Sequence, residues 1–190
     1  GIPKKKIKVT GIPTTEEFTK EFDKPELMEK YGLEEDRKTI FLMSGGFGVG
    51  PIEEMLLSLN LCTVPIQVIT VCGHNKEVHN KLKGIKKNLN YPVVLFGFTD
   101  EVAQLMAVSD LMITKAGCIS VTEALNMELP MILFASVPGQ ETWNEKLLVT
   151  TGAAEKAEKI DDIPAITNRV LLSEDVYDAL KAGIAKVRRP

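Results

Sequence analysis

The chain is poor in the residues that build covalent or metallic staples. Its three cysteines, Cys62, Cys72 and Cys118, are an odd number with no CxxC pair. That excludes a disulfide framework and a thiolate metal knot, and fits a reducing, cytosolic compartment. The only histidines, His74 and His79, stand five apart with no His/Glu cluster around them, so no metal site is expected. No uninterrupted apolar run approaches the ~20 residues that a membrane helix needs. The start, GIPKKKIKVTGIP, has lysines but no apolar core of a secretory signal. Charge of one sign is not in excess either. With 23 Lys and Arg against 26 Asp and Glu, the net charge of -3 gives no electrostatic reason to expect nucleic-acid binding. Local basic groups at Lys4 to Lys6, Lys83 to Lys87 and Lys186 to Arg189 read as solvated faces, with anionic lipid headgroups as the alternative. The P-loop signature GxxxxGK[ST] is missing, which disfavours a P-loop triphosphatase.

What remains is globular: 190 residues, 44% hydrophobic and 26% charged, enough for one domain that folds alone. Short β-prone runs at 39–43, 66–72, 93–97, 111–114 and 131–135 alternate with segments of helical spacing, such as Ile52, Met55, Leu56, Leu59 and Val78, Leu82, Ile85. An acidic helical segment around Pro25 to Tyr31 precedes them, and from Asp161 onward only helical spacing remains. Apolar strands separated by helices imply a parallel sheet covered on both faces, an α/β Rossmann-like fold. In such a sheet ligands bind beyond the carboxyl ends of the strands. Most of the 14 glycines fall in the loops at that edge: MSGGFGVG, CGHN, GFTDEV, TKAGCIS and SVPGQETWN.

The stretch from Ser109 to Gln140 is the most informative. Gly117, Cys118, Ile119 and Ser120 open an amphipathic run, and a helix start with a glycine beside it lets an anion such as phosphate reach unpaired N–H groups. Gly and Ser also serve there as plain turn and cap residues. Gly45, Gly46 and Gly48, with Phe47 among them, match the dinucleotide fingerprint only out of phase, but permit a sharp turn offering N–H groups to a diphosphate. Glu123, one turn into its helix, suits two adjacent ribose hydroxyls or simply favours the helix start. Gln140 and Asn144 share a face if 140–149 is helical, which suits sugar hydroxyls. Phe98 could flank a base or belong to the core, and His74 reads as a partly buried structural histidine or a general base. Cys62 and Cys72 read as small core residues.

In order, VTGIP at 9–13, SGGFGVG at 44–50, VCGHN at 71–75, GFTDEVAQLMAVSDLMITKAG at 97–117, TEAL at 122–125 and PGQE at 138–141 resemble a glycosyltransferase family. It comprises the processive diacylglycerol glucosyltransferases and monogalactosyldiacylglycerol synthases, with the cell-wall transferase that makes lipid II as a distant relative. The resemblance implies the C-terminal lobe of a GT-B fold, with residues 1–190 forming a single nucleotide-sugar-binding domain of a two-lobed enzyme without its N-terminal acceptor lobe. It implies a UDP-hexose donor and no other cofactor, a diacylglycerol-type lipid acceptor, peripheral contact with the cytoplasmic membrane face and a general base in the absent lobe. By the same resemblance, Gly45 to Gly48 and Gly117 to Ser120 face the diphosphate, and Phe98 and Val102 frame uracil. Glu123 holds the ribose and Gln140 and Asn144 the hexose, with Gly73 and Glu141 in the adjoining motifs. The chain departs from the family at Ala116 and Cys118, where Pro and Gly are usual, at Glu128 for a common Gly, and at Thr142 and Trp143, which interrupt a usually acidic pair. Alternatives are a UDP-N-acetylglucosamine transferase or epimerase of the same fold, and a noncatalytic nucleotide-binding module.

Overall fold

The structure is a computed structural model that describes residues 2–8, 11–43 and 50–188. After two short 3-10 turns, helix α1 (Lys24–Tyr31) starts at Asp23, whose side chain accepts the Glu26 N–H, and ends at Gly32 in the left-handed region. Strands and helices then alternate: β1 (Lys38–Met43), α2 (Ile52–Ser58), β2 (Ile66–Val71), α3 (Lys76–Ile85), β3 (Val93–Phe96), α4 (Val102–Ala107), β4 (Leu111–Thr114), α5 (Cys118–Asn126), β5 (Met131–Leu133), α6 (Thr142–Thr150) and β6 (Ala154–Lys156). Two helices close the order, α7 (Asp162–Leu172) and α8 (Glu174–Val187).

All pairings are parallel and the order is β3-β2-β1-β4-β5-β6. Successive side chains of β1 show why both faces must be covered. Ile40 and Leu42 enter one core with Ile52, Leu56, Val68, Leu82 and Ile163, while Phe41 and Met43 enter the other with Ile69, Leu105, Met112, Ala124 and Ile184. Each such side chain, fully buried, contributes about 1.5–3 kcal/mol. The sheet advances outward from β1 to β3, then the chain crosses back to lay β4 on the other side of β1. Sheets of this kind bind ligands at such a reversal, beyond the carboxyl ends of the two strands that flank it, here β1 and β4.

The predicted strands and helices are all present. One strand, β6, was not expected; Ala154, Glu155 and Lys156 lack β-branched residues, and their pairing to β5 rather than their propensity makes the strand. Gly183 explains how α8 closes over this edge. A Cβ on it would stand 2.0 Å from the Gly152 carbonyl oxygen, so only glycine lets the helix backbone lie against the turn before β6.

Candidate functional site

The β4–α5 junction carries the clearest binding geometry. Lys115, Ala116 and Gly117 leave β4 and turn directly into α5, a nine-residue helix whose N-cap, Gly117, offers no side-chain cap. Among the described residues nothing accepts from the backbone N–H groups of Cys118, Ile119 and Ser120; the first helical bond is Val121 N–H to the Gly117 carbonyl. Three donors and the positive end of the helix dipole therefore lie at this reversal. One turn further in, Glu123 is half-buried and its carboxylate has no hydrogen bond or ion pair among the described residues. Burial raises its carboxyl pKa above the ordinary carboxylate value.

The loops after β4 and β5 are tied to each other. The Ala116 N–H donates to Ser136 Oγ at 3.2 Å, Asn144 Nδ2 donates to the Ala116 carbonyl at 3.0 Å, and Lys115 Nζ lies 3.1 Å from Glu141 Oε1. Glu141 is buried, and its Oε2 accepts the Val137 N–H at 2.8 Å. Ala135 sits at φ 56°, a left-handed conformation costing a non-glycine residue roughly 1–2 kcal/mol. The strain lies in the loop that carries Gln140.

A second cluster lies past β2 and β3. Gly73, at φ 57°, turns the chain so that His74 stacks on Phe98 with ring centroids 4.3 Å apart and planes 12° from parallel. A Cβ at Gly97 would stand 3.8 Å from the Gly73 carbonyl oxygen, so these loops touch. Phe98 is 60% exposed, and its ring is open to a planar partner. From β3 to β4 is three strand spacings, about 14 Å at ~4.8 Å each. The two clusters are thus set for the ends of an extended ligand rather than for one compact group.

The structure brings Gly117, Cys118, Ile119, Ser120, Glu141 and Asn144 together at one junction, and Gly73 and Phe98 at the other. Gly45, Gly46, Phe47 and Gly48 lie outside the described residues. Val102 opens α4 and is half-buried, its side chain packing toward the core. Gln140 is exposed and does not share a helical face with Asn144. Gly139 at φ 82°, the Glu141 N–H to Val137 carbonyl bond and the Gly139 N–H to Thr142 Oγ1 bond form a turn that delays α6 to Thr142. His74 is exposed rather than partly buried, because the Gly73 turn lifts it onto Phe98. Cys72 is a core residue as expected, whereas Cys62 is half-buried, with desolvation pushing its thiol up to about 11. Sequence reasoning missed Lys115 and Ser136 as contributors; the one signal was that both flank the ends of adjacent strands.

The departures at Ala116, Glu128 and Thr142 have structural partners. Ala116 uses an N–H that proline lacks, to hold Ser136. Glu128 occupies φ 53°, where glycine is favoured, and is compensated by ion pairs to Lys181 at 3.2 Å and to Arg188. Thr142 holds Gly139. Trp143 is 76% exposed, with Lys146 Nζ 5.8 Å from its ring centroid.

A parallel sheet of this order, with open helix donors at its switch point, is a Rossmann-like lobe, and its fold matches the C-terminal lobe of GT-B glycosyltransferases. WaaG, a glycosyltransferase involved in lipopolysaccharide biosynthesis, shares the fold at a TM-score of 0.73 over 93% of this chain and 50% of that one, with 17% identity. The family is narrower still. The family model of the glycosyltransferase family 28 C-terminal domain matches residues 39–173, and the chain belongs to that family. It is similar to the processive diacylglycerol beta-glucosyltransferase of Staphylococcus saprophyticus, 36% identical over 173 residues, covering 88% of this chain and 44% of that protein. The enzyme of the same name from Bacillus pumilus is 31% identical over 178 residues, covering 94% of this chain and 46% of that protein. The chain spans less than half the length of these relatives.

Proposed function

We propose that this domain binds a UDP-hexose for hexosyl transfer to a diacylglycerol-type lipid, as the donor lobe of a transferase working at the cytoplasmic face of a membrane. The observation that carries it is the α5 terminus, where three free N–H groups lie at the switch point and an unpaired Glu123 carboxylate lies one turn behind them. The N–H groups of Cys118 to Ser120 take the diphosphate. Glu123 accepts from the two ribose hydroxyls, which restores partners to a desolvated carboxylate. Phe98, backed by His74, takes the flat face of uracil. Gln140, exposed on its turn, and Asn144, whose amide oxygen remains available, take hexose hydroxyls. The names of the relatives support a glucosyl donor and a diacylglycerol acceptor.

The chemistry divides between two parts of the whole enzyme. As the glycosidic bond to the diphosphate breaks, negative charge grows on the departing oxygen, and donors already aimed there stabilise it without reorganising. A base must take the acceptor hydroxyl proton, and we assign it to the acceptor-binding part of the full-length protein. Among the described residues no helix is long and apolar enough to cross a membrane. Titration calorimetry with UDP and UDP-glucose tests the donor reading. Saturable UDP binding, lost or strongly weakened in Glu123→Ala, is expected; absent UDP binding would sink it. For the full-length protein, UDP-glucose with diacylglycerol vesicles should yield glucosyl lipid, whereas an epimerised nucleotide sugar without acceptor would overturn transfer.

A further inference from the structure

Glu141 belongs to the motif that the resemblance places near the hexose, yet its carboxylate is turned inward. The residue is 5% exposed; Oε1 meets Lys115 Nζ at 3.1 Å and Oε2 accepts the Val137 N–H at 2.8 Å. The same Oε1 would stand 3.5 Å from a Cβ on Gly117, so the carboxylate lies directly behind the residue that caps α5. A single side chain thus joins the loop after β4 to the loop after β5. It also sets a negative charge within a few ångströms of the helix terminus that the donor diphosphate would use.

An unopposed carboxylate there would repel a diphosphate strongly, because fields are poorly screened behind a buried turn. We infer that Lys115 and Glu141 form a positioning latch for the donor site rather than part of its contact set. The ammonium cancels the carboxylate, leaving the three α5 N–H groups to dominate the field. The carboxylate in turn holds both loops in register, fixing the distance between the diphosphate position and Gln140. The latch rests on the donor reading above, but its own bonds exist without ligand and can be probed without it.

A latch and a direct phosphate contact predict opposite outcomes for the double variant. The 190-residue chain, Lys115→Met, Lys115→Arg, Glu141→Gln and Lys115→Met/Glu141→Gln would be titrated with UDP and UDP-glucose by calorimetry, with thermal melts to confirm folding. Lys115→Met should weaken UDP by about tenfold or more, since it strands the carboxylate beside the anion. The double variant should return to within about threefold of the parent, because both charges are gone, and Lys115→Arg should bind nearly as the parent. Glu141→Gln should keep most UDP affinity and lose the increment that the hexose adds. A double variant no tighter than Lys115→Met would make Lys115 a phosphate ligand and overturn the latch, as would a Lys115→Met protein that binds like the parent. Amide hydrogen exchange on ligand-free Glu141→Ala decides the matter where Lys115→Met fails to fold or where the parent binds no UDP. Faster exchange in both loops, at Val137 and at Ala116 and Gly117, supports the latch; parental protection overturns it. Failure of the parent to bind UDP counts against the donor reading alone.

Discussion

At the amino edge of the sheet, polar side chains are consumed in bonds between elements; at the carboxyl edge some tie the loops together and others are left over. Asp110, entering β4, accepts the Thr39 N–H at 2.7 Å and the Lys24 ammonium at 3.2 Å, while its carbonyl accepts from Tyr177. Gln67 accepts the Glu34 N–H, and its amide donates to the Glu34 carbonyl and to Thr39 Oγ1. At the other edge, the Glu123 carboxylate and the first N–H groups of α5 have no such partners among the described residues, and Ala135 holds a left-handed conformation. Groups left unpaired in this way cost stability in the free protein and become available to a ligand. The difference separates the edge that folds the domain from the edge to which we assign donor binding.

The sharpest way to break this comparison is at Asp110. Asp110→Ala leaves the Thr39 N–H, 1% exposed as a residue, without an acceptor, and should lower stability by about 2–3 kcal/mol. For a domain of this size that lowers Tm by roughly 4–12 °C. UDP affinity of the folded protein should stay as it was. A calorimetric titration showing an equal loss of affinity would mean that the two edges are not separable.

Glu123→Gln tests the other edge, where the signs should oppose. The amide cannot accept from two hydroxyls as a carboxylate does, so UDP should bind about tenfold more weakly. The free protein should become more stable at neutral pH, since a desolvated charge is removed. The pH dependence follows from the raised carboxyl pKa of Glu123. Between the unfolded value, about 4.3, and the raised folded value, the native state holds more protons than the unfolded chain. Stability therefore falls as pH rises through that window. The Gln variant should lack this slope in a series of melts, and an unchanged slope would show that Glu123 has a hidden partner.

The contrast between edges also accounts for how much was legible in the sequence. The strands and the loops at their carboxyl ends could be read because apolar runs and glycine clusters are local signals. So could the α5 start, where Gly117 and Ser120 flank an amphipathic run. Side-chain direction is not local. Glu141 faces inward because Lys115 and the Val137 N–H lie behind it, and Lys115 comes from a loop that only the fold brings alongside. Gln140 leaves the face of Asn144 because a turn at Gly139 competes with helix extension. β6 was hidden because an edge strand of three residues is made by its neighbour, not by its composition.

Phe98→Ala should separate the edges more gently. With the ring 60% exposed, stability should hardly move, since little buried area is lost. A base stacked on the ring gains about 1–3 kcal/mol, and one face is already covered by His74, so a loss of about fivefold in UDP affinity is expected. Uridine and UDP should lose the same factor, because the ring meets the base and not the phosphates. If inorganic diphosphate lost affinity as well, Phe98 would be acting through the loops rather than on uracil.

Glu128→Gly has the smallest expected effect, and its sign sharpens the comparison at a place away from both edges. Glu128 closes the turn between α5 and β5 in a left-handed conformation that a glycine would relieve by roughly 1–2 kcal/mol. Against this stand the ion pairs to Lys181 and Arg188, at partly exposed positions where each contributes about 0–1 kcal/mol, together with the entropy that glycine adds to the unfolded chain. The terms nearly cancel, so Tm should shift by no more than about 3 °C. The ion pairs are screened and the backbone strain is not, so raising the salt to about 1 M should lower the parent's Tm relative to the variant. A Tm difference between parent and variant that does not change with salt would place any stabilisation by Glu128 in packing of α8 against the turn instead of in charge.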